Sequence, residues 1–186
     1  MNKIDKNFLN SNTLKVAQDL LGKFLVRKSG DKRIVTLISE TEAYHGPSDL
    51  ASHASRGRTP RTEVMFGPAG RAYIYLIYGR YYCFNIVTGK RDFPAAVLIR
   101  GIKIIKNNKI IKEIYGPGKV CMELAIDKKL NKKNLLNSNN LFVTEDKKLL
   151  AKLYPKGFKV IKDKRVGVDY AGKYKDKLWR FLLSQK

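Results

Sequence analysis

The stretch Tyr73–Asn85, YIYLIYGRYYCFN, decides how the rest of the chain is read. Two runs rich in Tyr, Ile, Leu and Phe flank Gly79-Arg80, which is the pattern of a β-hairpin. Glycine at the first central position predicts a type II′ turn, because Gly accepts positive φ without strain. That turn places Tyr78 and Tyr81 opposite each other at the tip, with Arg80 between them. Two uses are open to such a tip. Aromatic residues favour strands, and the tyrosines can simply pack on a core. They can also be pushed between stacked bases, where the rings replace lost stacking and the cation faces phosphate.

Charge favours the second use. Thirty-eight Lys and Arg against sixteen Asp and Glu leave a net charge of +22. A field of that sign attracts polyanions, nucleic acid before anionic membrane. Genome composition, through an excess of Lys, Asn and Ile, would inflate this charge without a functional cause. No apolar run approaches the ~18 residues of a membrane span, and MNKIDKNFLNSN lacks the apolar core of a signal peptide. The expectation is a soluble, cytoplasmic protein that meets nucleic acid and no membrane. Cys83 and Cys121 stand far apart, without a CxxC spacing or a neighbouring His, so neither a metal site nor a disulfide framework is expected. At 186 residues and 44% apolar content, the chain predicts one domain spanning residues 1–186.

Before the hairpin, Asn12 or Thr13 can cap a helix that carries Leu14, Ala17, Leu20 and Leu21 and ends at Gly22. A strand over 23–28, a turn at 29–32 and a longer strand over 33–44 follow. On the longer strand the period of two puts Ile34, Thr36, Ile38, Glu40 and Glu42 on one face. Two enclosed carboxylates in such a row raise each other's pKa, whereas a solvated strand end leaves them ordinary. From His45 to Met65 there is no periodicity, and Arg56, Arg58 and Arg61 make the loop positive. It is either a loose surface segment or a track of amides and arginines along phosphates.

Beyond the hairpin, residues 95–102 predict a strand in which a lone Arg100 needs a carboxylate partner. Residues 103–113 read as a loop or an edge hairpin. A helix over 119–126 carries Val120, Cys121, Leu124 and Ala125 inward, and 128–140 is a polar loop. Strands are expected over 141–144 and 158–168, with a closing strand from Leu178 that packs Trp179 or Phe181. Short strands with two or three helices predict an α+β fold with a mainly antiparallel sheet.

Several segments then occur in a telling order: ETEAY at Glu40–Tyr44 with Gly46-Pro47 and His53 beyond it, MFGPAGRAYIYLIYGRYYCFNI at Met65–Ile86, AVLIRGI at Ala96–Ile102 and GPGKVCMELAI at Gly116–Ile126. RVGVDYAG at Arg165–Gly172 is a weaker fifth. In this order the chain resembles the alkyladenine / 3-methyladenine DNA glycosylase family of base-excision repair, from about Leu14 to Leu182. The resemblance implies a single domain with a curved, mainly antiparallel sheet and a protruding hairpin that enters the minor groove of double-stranded DNA. It implies a monofunctional hydrolase, acting as a monomer without cofactor, that flips alkylated or deaminated purines out of the duplex and hydrolyses the N-glycosidic bond.

By the same resemblance Glu42 is the catalytic base, and Arg100, whose expected carboxylate partner is Glu42, helps hold the attacking water. Tyr44 and Tyr75 wall the base pocket, His53 contacts the base or its sugar-phosphate, Asn85 screens base edges and the Val168 carbonyl touches the water. Tyr78 is the wedge, flanked by Arg80 and Tyr81. Two positions depart from the family pattern. Arg80 stands where the better-known vertebrate members have Met, and Asp169-Tyr170 stands where Gly-His is expected.

The chemistry explains the choice of parts. A duplex hides the glycosidic carbon, so the nucleotide must leave the stack, at a few kcal/mol that a wedge partly offsets. A carboxylate facing the sugar can take a proton from water and stabilise an oxocarbenium-like state. A cationic purine leaves without a dedicated acid, and aromatic walls favour it by cation–π attraction of about 1–2 kcal/mol. The rival reading, a non-catalytic nucleic-acid-binding module, is disfavoured by the intact carboxylate at Glu42. A hydrolase of free nucleosides would have no use for the charge or the wedge. Among lesions, 3-methyladenine, 7-methylguanine, hypoxanthine and ethenoadenine all remain open.

Overall fold

The hairpin forms, as part of a ten-stranded sheet in a computed structural model that describes Met1–Lys186. In chain order the elements are β1 (Asn2–Lys3), α1 (Lys6–Leu9), α2 (Thr13–Asp19), β2 (Phe24–Ser29), β3 (Lys32–His45), β4 (Ala72–Ile77) and β5 (Tyr81–Val87). There follow β6 (Ala95–Lys106), β7 (Lys109–Tyr115), α3 (Pro117–Glu123), β8 (Leu141–Glu145), α4 (Lys147–Leu153), β9 (Phe158–Asp163) and β10 (Arg180–Gln185). The fold is α+β, and every strand pairing is antiparallel. No helix is long and apolar enough to cross a membrane.

Local signals explain the entry into the sheet. Asn12 caps α2 by accepting from the amides of Leu14 and Lys15, and Gly22 at φ 81° turns the chain into β2. Val16, Ala17 and Leu20 join Phe24, Leu37, Phe84, Ile99 and Phe181 in a main cluster of 30 buried residues. Trp179 packs at its margin while Phe181 is inside.

Two long strands organise the sheet, and both change partners at the same level. On one edge β3 pairs with β2 through Leu37 and with β10 from Glu40 to Glu42. On its outer edge β6 pairs with β5 through Leu98 and with β7 from Gly101 onward. Between these two long strands the ladder loses register just there, so that Ser39 and Arg100 have no residue opposite. The expected unbroken row from Ile34 to Glu42 is therefore interrupted. Such irregularities re-aim side chains, and this one lies where the sheet branches.

Past the irregularity the alternation is regular. Thr41 Oγ1 donates to the Ala17 carbonyl of α2 and Ala43 belongs to the main cluster, while Glu42 and Tyr44 line a cavity on the other side. The same division separates Ile74 from Tyr73 and Tyr75, and Phe84 from Cys83 and Asn85.

Several expectations need correction. The tip turn centres on Tyr78-Gly79, with φ of 50° and 64° and Arg80 N–H donating to the Ile77 carbonyl. Positive φ at both positions is the type I′ pattern, not II′. Tyr81 consequently pairs with Ile77 rather than facing Tyr78. Residues 103–113 form the β6–β7 edge hairpin. The helix α3 begins at Pro117, with Gly116 at its cap, and Ala125 is exposed at φ 47° instead of facing inward. Expected to run to Val168, β9 ends at Asp163, and β1, α1 and α4 are further elements that the sequence reading does not contain.

Candidate active site

A cavity of about 330 Å³ opens between the hairpin, β3, β6 and two loops. Its walls include Glu42, Tyr44, His53, Tyr75, Tyr78, Asn85, Arg100 and Val168, so residues scattered over more than 120 positions converge on one space. Its volume lies toward the small end of ligand pockets, about 300–1,000 Å³. Tyr73, Met65, Leu98 and Cys83 add an apolar lining.

Glu42 is fully buried at its base. Its Oε2 accepts from the Tyr44 hydroxyl at 2.9 Å, and its Oε1 accepts from the Val166 N–H at 2.9 Å. Arg100 Nε is 3.5 Å from Oε1. Burial pushes the carboxyl above its ordinary range; Arg100, the Val166 amide and the Tyr44 hydroxyl oppose that rise, and Glu40 adds to it. A carboxylate brought toward neutrality is a better proton acceptor near pH 7. Arg100 does find a carboxylate, but its hydrogen bond goes to Glu40 Oε1 at 2.9 Å, with Glu42 the more distant partner. The expectation that Glu42 is its main partner is corrected accordingly.

The aromatic wall comes from β4. Tyr75 meets the His53 ring edge-on at 4.6 Å between centroids and Tyr73 at 5.1 Å, and the Arg61 guanidinium lies 5.1 Å from its centre. His53 Nδ1 is 2.8 Å from the Tyr73 hydroxyl, and Arg61 Nη2 approaches Nε2 at 3.4 Å. Arginine can only donate, so Nε2 accepts and Nδ1–H donates to Tyr73. Burial first, then the Arg61 and Arg56 charges, lower the His53 pKa to about 4, so the ring is neutral at pH 7. Tyr44 and Tyr75 are both held protonated, primarily by burial. Cys83, on β5 behind Tyr75, is raised by burial to about 11.

Asn85 is buried and donates Nδ2 to the Tyr73 carbonyl at 3.1 Å, which leaves Oδ1 to meet a ligand. The Val168 carbonyl accepts the Ala171 N–H at 2.9 Å and keeps a second lone pair. Tyr78 is 88% exposed at the cavity mouth, and Arg80 beside it is exposed. Tyr81 instead lies against α3, where a Cβ on Gly118 would come within 3.0 Å of it. Tyr170 reaches the Ala51 carbonyl with its hydroxyl at 3.3 Å and lines the same cavity.

Two participants have no signal in the sequence. One is the Val166 amide on Glu42. The other is the buried ion pair of Asp49 and Arg165, bonded at 2.6 and 2.8 Å. Arg165 also donates to the Ala43 carbonyl and lies between the Tyr44 and Trp179 rings, at 4.9 and 5.0 Å. It therefore ties the loop bearing Val166 to the strand bearing Glu42. Val166 directly follows Arg165, and the ion pair that anchors them joins residues 116 positions apart.

The cavity thus joins a recessed carboxyl group and an aromatic wall to an exposed tyrosine at a hairpin tip, and comparison with known proteins gives the family. The family described as "Methylpurine-DNA glycosylase (MPG)" matches residues 7–186. Among curated proteins the chain is 45% identical over 183 residues to a "Putative 3-methyladenine DNA glycosylase" of Legionella pneumophila (strain Corby), covering 98% of this chain and 95% of that one. Proteins of the same printed name from Anaeromyxobacter sp. (strain Fw109-5) and Natranaerobius thermophilus are 45% and 41% identical, covering 97% of this chain and 89% and 95% of theirs. The chain belongs to the methylpurine-DNA glycosylase family, DNA-repair hydrolases of N-glycosyl bonds.

Proposed function

We propose that the 186 residues act as one monomeric catalytic unit that flips 3-methyladenine and related alkylated or deaminated purines from duplex DNA and releases them by hydrolysis. The observation that carries this reading is Glu42: a fully buried carboxylate fixed by Tyr44 and Val166 at the wall of an aromatic cavity. In the reaction the oxygen of a water molecule bonds to C1′ as the C1′–N bond breaks. The bonding electrons pass to the purine, which leaves neutral if it entered as a cation, and the water's proton passes to Glu42. Glu42 and its neighbours also stabilise the positive charge that develops on the sugar. Tyr44, Tyr75 and His53 bound the space for the base, Asn85 and the Val168 carbonyl supply acceptors, and Tyr78 fills the gap in the duplex while Arg80 faces phosphate.

No cofactor is needed for these steps, and no three His, Cys, Asp or Glu side chains converge as metal ligands. On this reading the reaction takes place in the cytoplasm, with the chromosomal DNA on which a glycosylase of this family acts. Glu42→Gln tests the reading. It is expected to abolish release of 3-methyladenine from alkylated DNA while lesion binding persists. Retained turnover would move the base elsewhere, and a wild-type chain that binds lesions without releasing them would be a binding module only.

A further inference from the structure

Glu40 is a buried carboxylate that the hydrolysis above does not use. Its Oε1 accepts from Arg100 Nε at 2.9 Å and lies 3.4 Å from Arg180 Nη1. Arg180, on β10, pairs in turn with Asp163 on β9. One guanidinium nitrogen thus stands between two carboxylates and is hydrogen-bonded to the one that is not the base. The backbone is shaped for this arrangement. Pairing breaks at Ser39 and Arg100, and at Gly101 a Cβ would lie 2.7 Å from Glu40 Cβ and 3.2 Å from its Oε2. Only glycine lets β6 approach the Glu40 side chain so closely.

We propose that Glu40 is a positioning residue that holds Arg100 off Glu42, so that Oε1 of the base, which accepts only from Val166, keeps a lone pair for the proton of the attacking water. This inference rests on the reading of Glu42 as the base. Without a competitor, Arg100 would close onto Glu42 in a charge-assisted hydrogen bond and favour its charged form, which weakens it as a base. The charges facing Glu40 are Glu42 from its own strand, Arg100 from β6 and Arg180 from β10, the last offset by Asp163. Arg180 therefore shares Glu40 with Arg100 and moderates its hold.

The test is the pH dependence of base release, in single turnovers, from a duplex carrying 7-methylguanine. That purine is already a cation and leaves without an acid, so the acid limb of the profile reports the base. Glu40→Gln keeps an oxygen in place but removes the charge. It is expected to slow release about tenfold at pH 7, to move the acid limb down by about one unit, and to change lesion-duplex affinity by less than about twofold. Arg180→Gln leaves all of Glu40 to Arg100 and is expected to move the limb the opposite way, upward. Shifts of opposite sign from two neighbours do not come from a loosened fold. A limb that stays put in both variants, or moves the same way in both, overturns the positioning role while leaving Glu42 as the base. Should Glu40→Gln not fold, Arg180→Gln decides alone: an upward shift supports the role and any other result overturns it. Retained turnover in Glu42→Gln overturns the base and this inference together.

Discussion

The β4–β5 and β6–β7 hairpins both turn through two successive residues of positive φ: 50° and 64° at Tyr78-Gly79, and 51° and 58° at Asn107-Asn108. Asparagine tolerates this left-handed region because its short side chain bonds locally, and an Asn pair is an inexpensive way to close an edge hairpin. Tyrosine has no such compensation, and holding it there costs about 1 kcal/mol. Nor does packing offset the cost, since the Tyr78 ring is 88% exposed. Asn107 and Asn108 close their hairpin through the same positive φ without an aromatic, so the sheet has no structural need for one at 78. The difference fits the proposed role of the β4–β5 tip, an aromatic kept for the duplex and not for the sheet.

The largest effect should come from making the two tips alike. Tyr78→Asn is expected to lower base release from lesion duplexes about 10- to 100-fold, the worth of one lost stacking partner. The same variant should raise the melting temperature by about 2–4 °C, since a strain of about 1 kcal/mol is relieved. Loss of activity with no gain in stability would break the comparison. The converse exchange, Asn107→Tyr, is expected to cost about 1 kcal/mol in a denaturant titration and to leave base release unchanged. A smaller effect extends the comparison from backbone to charge. The His53 pKa falls from 6.5 to about 4 in the folded chain, so the unfolded chain binds the proton more readily. Its contribution to stability is complete above pH 6.5 and is lost as pH falls toward about 4. Melting temperatures measured across that window should decline in the wild type and decline less in His53→Gln.

How much of this was legible in the residues follows the range of the interactions. Short-range chemistry was plain: the Asn12 cap and Gly22 bound α2, tyrosines around Gly79 marked the hairpin, and a period of two set Glu40 and Glu42 together. The turn type was not, because Gly79 suits either central position and the choice depends on which strand carries the extra residue, here Arg80. Arg100 announced its need for a carboxylate, but which one depends on a break in register between strands 60 residues apart. The Val166 amide and the Asp49–Arg165 pair were invisible for the same reason: an amide has no identity in a sequence, and a buried ion pair is known only once its halves meet. Resemblance supplied the roles of Glu42, Tyr44 and Tyr75, and the structure supplied the contacts that hold them.

The thiol in the wall of the cavity has a consequence for survival under the very stress this family answers. Methylating agents attack thiolates as well as DNA, and a cysteine beside a repair site is a natural point of self-inactivation. With its pKa pushed up to about 11, Cys83 is ionised in only on the order of one molecule in ten thousand at pH 7. The repair centre thus carries a sulfur atom that contributes bulk to the pocket while offering an electrophile almost nothing to react with.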